Sequence, residues 1–306
     1  MKNNLKTFGA ALLCVTLVGC ADGQFKSIGA GILSSTGYVN GSQAEGIFSA
    51  GEKLGKSQQE LSAEQEYYLG RAASARILGK FQPKLNPALN QYVNKIGDSL
   101  AAVSDSPETF GGYHFAVIES DQINAMSAPG GFIFVSSAFV KLMPDEDAMA
   151  AVLAHEVGHV VKKHGVNAIS NANLFSALGG LTQTGLSVAA SNVGSPVDLT
   201  QITDLFGESV NGVMDKLLTS GYSHKQEYEA DAYAAELLQR AGYDPAALIR
   251  TLKILDEHKK GQDGGWFETH PSPEDRIDEV QGDIKPSDAK PNSVRVARFT
   301  QAMKSL

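Results

Sequence analysis

A mainly helical α+β fold with one small sheet is what the sequence predicts, and three observations carry that expectation. Apolar residues recur at helical spacing in several separate segments between Ser62 and Val280. Only two runs, residues 114–119 (HFAVIE) and 131–136 (GFIFVS), have the β-rich composition of strands, bracketed by Gly111-Gly112 and Pro129-Gly130-Gly131. They are expected to form a small antiparallel sheet. With 306 residues, 42% hydrophobic and 20% charged, the chain can bury a substantial core and is neither a disordered nor a multi-span membrane chain.

The first residues have a different character from the rest. Lys2 and Lys6 precede an apolar run over 8–18 that ends in Leu17-Val18-Gly19-Cys20. A basic start, a short apolar core and a small residue before the cut describe an export signal over 1–19, too short for a transmembrane helix. The terminal tetrad resembles the bacterial lipoprotein cleavage box, which makes Cys20 the lipidated first residue of the mature chain. Ala21 follows it, where an aspartate would favour retention at the inner membrane. The expected location is therefore the cell envelope, lipid-anchored, on the periplasmic face of the outer membrane. Residues 20–58 are rich in Gly, Ser and Ala and read as a tether.

The folded domain is expected over 59–282, followed by a C-terminal tail over 283–306. A helix opens after Ser62 and continues through Tyr68, Leu69, Ala72 and Ile77, and a second starts at Pro87 and runs past Leu100. Both strand runs follow. Asp145 then caps a helix whose first turn carries Glu146 and Asp147, suited to its positive end, and which runs to about His164. Residues 165–197 carry no charge, but Asn167, Asn171, Asn173, Thr182 and Gln183 break any apolar span, so a Gly-rich helical hairpin is expected there. Helical patterns resume over 199–218, 224–240 and 245–258, before a Gly-rich loop leads to Trp266 and His270-Pro271.

Composition narrows the chemistry. A net charge of -8 excludes a nucleic-acid partner, which requires a basic face. Two cysteines exclude zinc ribbons, iron–sulfur clusters and disulfide scaffolds, so any metal rests on His and carboxylates. His155-Glu156-Val157-Gly158-His159 supplies such a site. Spacing of four puts both imidazoles on one helical face, where they can converge on one zinc per chain, and Glu156 projects beside the metal as a base for its water. A third ligand is needed. Lys162 and Gly165 stand where an elongated metzincin motif has glycine and histidine, and His164 is one residue out of register. A glutamate from a later helix remains, and residues 223–231 (SHKQEYEAD) offer Glu227 and Asp231 on one face, one to bind zinc and the other to orient a ligand histidine. Glu229 lies roughly 200° round from Glu227.

Together His155 to His159, the Glu227-to-Asp231 segment, residues 124–131 (NAMSAPGG) and Thr269-His270-Pro271-Ser272 resemble the zinc metallopeptidase family of the CAAX prenyl protease type, in particular its small bacterial members of envelope quality control. The resemblance covers about 62–280 and implies a gluzincin-like fold with the sheet beside the active-site helix. It implies that His155, His159 and Glu227 are the zinc ligands, Glu156 the general base and acid, and Asp231 the partner of a ligand histidine. The substrates implied are unfolded or misassembled envelope proteins. By the same motifs His270 is a catalytic oxyanion donor, a latch that sits on zinc at rest, or a structural turn. Asn124, Ala125 and Met126 are expected on an exposed strand that pairs with extended peptide. One departure is His224, where the family has arginine; the missing support is expected from Lys225, and His224 is itself a further candidate ligand. Arg276 is expected to pair with an acid that the sequence does not identify. The rival functions are a periplasmic chaperone or assembly factor using the same groove, and a lipoprotein with purely structural zinc.

Overall fold

A computed structural model describes residues 61–167, 207, 210–259, 264–282, 284, 292–304 and 306. The export signal, Cys20, the tether and the uncharged stretch from 168 to 197 lie outside them. Among the described residues no helix is long and apolar enough to cross a membrane.

Helix α1 (Ala63–Lys80) begins at Ser62, whose hydroxyl accepts from Gln65 N–H while the Gln65 side chain accepts from Ser62 N–H. Helix α2 (Pro87–Ala101) has proline in its first turn and buries Leu89, Val93, Ile96 and Leu100, the periodic positions of the sequence pattern. Strands β1 (His114–Ile118), β2 (Ala125–Ala128) and β3 (Phe132–Ser136) form one sheet in the order β1-β3-β2. The sheet is mixed, which corrects the antiparallel expectation: β2 and β3 are antiparallel, but β1 runs parallel to β3, with His114 opposite Phe132 and Ile118 opposite Ser136. The link from β1 passes the central position and enters the sheet at its far edge, and the β2–β3 hairpin then folds back into the centre. The turn of that hairpin, Pro129–Gly131, is held by close approach to α1: a Cβ on Gly70 would lie 1.7 Å from the Pro129 carbonyl oxygen.

A short helix α3 (Ser137–Leu142) leads to α4 (Glu146–Val161), capped by the Asp145 carboxylate accepting from Ala148 N–H at 2.8 Å. This helix is more deeply buried than its half-apolar pattern suggests, because α2, β2 and two later helices, α6 (His224–Arg240) and α7 (Ala246–His258), surround it. It stops at Val161 rather than His164. Lys163 takes the left-handed conformation with φ 55°, its Nζ 2.7 Å from Glu66, and a short helix α5 (His164–Asn167) starts in a new direction. Residues 210–215 are helical and run into a π-type turn, Lys216–Ser220.

The domain closes with α8 (Trp266–Thr269), α9 (Pro273–Val280) and α10 (Ser293–Met303). Helix α10, in the segment set apart as a tail, is docked on the core. Arg298 reaches the buried Glu146 carboxylate, which also accepts from Tyr92 and Tyr243 hydroxyls at 3.2 and 3.3 Å, and Arg295 pairs with Asp147 at 2.8 Å.

Candidate metal centre

Helix α4 presents His155 and His159 one turn apart on the side that faces α6, where Gly158 leaves room for the close approach of Ala230. Helix α6 begins with a capping box between Ser223 and Gln226, which fixes its entry and places Glu227 in the first turn. Each Glu227 oxygen lies 3.5 Å from one imidazole: Oε2 from His155 Nε2 and Oε1 from His159 Nε2. The two Nε2 atoms are 3.0 Å apart. From the loop after α8, His270 Nε2 comes within 3.7 Å of Glu227 Oε2. The four residues thus offer ligand atoms all within 4.8 Å of one another.

Hydrogen bonding behind these atoms decides their protonation. His155 Nδ1 is 2.9 Å from Asp231 Oδ1, one helical turn beyond Glu227. A carboxylate only accepts, so Nδ1 carries a proton; against burial and Arg276 the Asp231 and Glu227 carboxylates push the imidazole up to about 9, and a metal would take the place of the proton on Nε2. His270 Nδ1 lies 3.0 Å from the Thr269 hydroxyl and 3.2 Å from the Trp266 carbonyl, its Nε2 faces inward, and Trp266 stacks flat on the ring at 3.5 Å. Both Glu227 oxygens are fully buried and have no hydrogen-bond donor among the described residues. A buried carboxylate among imidazole nitrogens needs protons or a cation between them, and nitrogen and oxygen donors at this spacing suit a borderline divalent ion. The residues therefore fit a metal.

Arg276 of α9 is the buried cation of the centre. Its Nε and Nη2 hold the two Asp231 oxygens at 2.8 and 2.6 Å, and Asp231 is the acid that the sequence does not identify. Burial would raise the Asp231 carboxyl, but Arg276 and His155 hold it well below the usual carboxylate range. Burial opposes ionisation of Glu227 too, and His270, His155 and Arg276 outweigh it. Glu156 differs: burial pushes it up to about 7, with Glu227 adding to the rise and His155 opposing it.

The remaining site residues divide. His224 is exposed at the start of α6 against Tyr228 and takes no part in the cluster, and Lys225 is a solvated side chain paired with Glu229 at 3.6 Å, not a brace of the active-site wall. Asn124, Ala125 and Met126 are buried, not exposed. Strand β2 does occupy a sheet edge, but α4 packs on it from one side, and α1 and the Lys216–Ser220 turn also contact it. Sequence reasoning missed Trp266, whose only signal was being the single tryptophan, four residues before His270. It also missed the place of His164, which lies against His159.

A family model for peptidase family M48 matches residues 87–284. The chain is 29% identical over 222 residues to the beta-barrel assembly-enhancing protease of Escherichia coli (strain K12), covering 71% of this chain and 43% of that protein. It is 28% identical over 168 residues to the metalloprotease LoiP of the same strain, covering 55% of this chain and 61% of the relative. The mitochondrial metalloendopeptidase OMA1 of Schizosaccharomyces pombe is 26% identical over 227 residues, with 72% and 62% covered. The chain spans less than half the length of the first of these relatives. The matched segment contains α4, α6, α9 and every residue of the cluster, and it is the family that the four motifs resemble: the chain belongs to peptidase family M48.

Proposed function

We propose that the chain is a zinc-dependent metalloendopeptidase that hydrolyses peptide bonds of unfolded or misassembled envelope proteins. The observation that carries this reading is the convergence of His155, His159 and the donor-free Glu227 beside a buried Glu156. Zinc, when bound, supplies a Lewis acid that polarises the scissile carbonyl and lowers the pKa of a water molecule towards roughly 7. Glu156 takes the proton of the attacking water and returns it to the leaving amine; a carboxyl pushed up to about 7 is suited to both transfers. His155, His159 and Glu227 hold the metal, and Asp231 orients His155.

His270 stands within ligand distance, which supports a resting latch that frees a position for substrate on leaving; as an oxyanion donor it would instead need a proton on Nε2. Asn124, Ala125 and Met126 lie along the edge of β2, where an extended peptide can pair once the covering turn moves aside. Cys20 is the lipid anchor, and the periplasmic face of the outer membrane is the site of action, in keeping with a relative named for β-barrel assembly.

Metal analysis paired with proteolysis of unfolded casein tests the reading. Wild type is expected to carry one zinc and to cleave, and Glu156→Gln to keep the zinc and lose cleavage. A Glu156→Gln protein that still protects unfolded envelope proteins, beside a wild type that does not cleave, would favour the chaperone instead.

A further inference from the structure

His164 has no role in the reading above, although it is 2% exposed in the middle of the centre. Its ring lies 5.0 Å from that of His159, and the two Nδ1 atoms are 2.9 Å apart. Two imidazole nitrogens at that distance share one proton, so one donates and the other accepts. The direction follows from the far end. His164 Nε2 is 3.3 Å from Glu229 Oε2, and a carboxylate only accepts, so the His164 proton is on Nε2 and its Nδ1 carries a lone pair. His159 Nδ1 must then be the donor. Its Nε2 is left unprotonated and faces the metal-binding atoms.

The local chain is shaped for this contact. Val161 ends α4, Lys163 turns left-handed, and the reversal brings His164 beneath the ring five residues before it. Tyr222 stacks on the face of His159 at 4.3 Å and 21°, so His164 controls the edge that Tyr222 leaves open. His164 is not itself a ligand candidate, since its Nδ1 is engaged on the side of His159 away from the cluster.

We propose that His164 is a positioning residue of the metal centre: it accepts the Nδ1–H of His159 and donates to Glu229, holding His159 in the tautomer and orientation that offer Nε2 to the metal. The proposal rests on His155, His159 and Glu227 being the metal ligands. Each ligand imidazole then has its own anion behind it, His155 directly through Asp231 and His159 through a second histidine.

Zinc affinity of the full-length chain, measured by chelator competition, and the visible ligand-field spectrum of the cobalt-loaded protein provide the test. His164→Leu is expected to weaken zinc binding ~10- to 100-fold and to shift the cobalt spectrum. His164→Asn, whose carbonyl can accept from His159 and whose amide can donate onward, is expected to restore both to near wild type. Glu229 is a partly exposed side chain, so Glu229→Ala keeps the test open if His164→Leu does not fold; a several-fold loss of affinity is expected. Wild-type affinity in a folded His164→Leu or in Glu229→Ala, or an Asn variant as defective as Leu, overturns the proposal. A wild type that binds no stoichiometric zinc overturns the metal centre itself and this proposal with it; that failure is distinguished because wild type and variants then fail alike.

Discussion

Replacing Arg276 with methionine removes the guanidinium bonded to the Asp231 carboxylate while keeping most of the volume packed over Trp266, whose ring lies 5.1 Å from the guanidinium. Both partners are about 1% exposed, so water cannot take the place of the guanidinium. Two charge-assisted hydrogen bonds are lost, and the carboxylate keeps only His155 Nδ1–H. Breaking a buried pair on one side costs about 3–5 kcal/mol, and in a domain of this size each kcal/mol lowers the melting temperature by about 2–4 °C, so Arg276→Met is expected to melt about 6–20 °C below wild type. Melts are run with chelator in every sample, so that metal loss does not enter the difference. The sign with pH is fixed by Asp231. Its carboxyl is held low in the fold, so the stability from the pair is present above the ordinary value of 3.8 and is lost only as pH falls through the depressed one. In the variant the same carboxyl lacks its cation and burial raises it, so protonation relieves the variant first and the gap narrows as pH falls from 7. Arg276→Met with Asp231→Leu is expected to recover part of the loss, because an apolar pair leaves no buried charge. A single variant melting within about 2 °C of wild type at pH 7, or a double variant whose loss is the sum of the singles, would refute this account of the pair.

Chelation should destabilise the wild type, because it leaves both Glu227 oxygens buried without a donor; at free zinc about 100 times the dissociation constant the difference is about 2.7 kcal/mol, read as a melting shift of about 5–11 °C. An unchanged melting temperature would mean that the cluster holds no metal. Gly221→Ala should destabilise by about 2–4 kcal/mol in a denaturant titration, since its Cβ would stand 1.9 Å from the Thr269 carbonyl oxygen at a residue with φ +63°. It should also displace the segment that carries His270, and a wild-type midpoint would show that this loop is not packed as described.

How much of the centre was legible in the sequence depends on the distance along the chain over which each relation acts. His155, Glu156 and His159 could be read because helix geometry alone sets residues four apart on one face, and the same rule relates Glu227 to Asp231. Helix starts at Ser62, Pro87 and Asp145 were legible for the same local reason, the capping side chain being within three residues of the group it satisfies. The parallel β1–β3 pairing was not legible, since either neighbour order leaves the same residues of each run apolar, and the strands pack on different helices, β1 on α2 and β2 on α4. The burial of Asn124, Ala125 and Met126 was hidden for a similar reason: what covers β2 includes a turn some 90 residues later.

The partners behind the clustered imidazoles were the least legible. Asp231 and Arg276 are 45 residues apart, Asp231 and His155 76, and Glu229 and His164 65. A periodic pattern cannot relate residues at such separations. Even His164, five residues from His159, was hidden, because a continued helix would carry it past His159, and only the left-handed turn at Lys163, a residue type that seldom adopts it, brings it back. An H-E-x-x-H motif therefore identifies which atoms can face a metal. The partners on the other side of those rings are carboxylates on α6, and the guanidinium that holds one of those carboxylates comes from α9. A chain that kept the motif but lost Asp231 or Glu229 would keep the helix that carries the imidazoles and lose the partners that face their Nδ1 atoms.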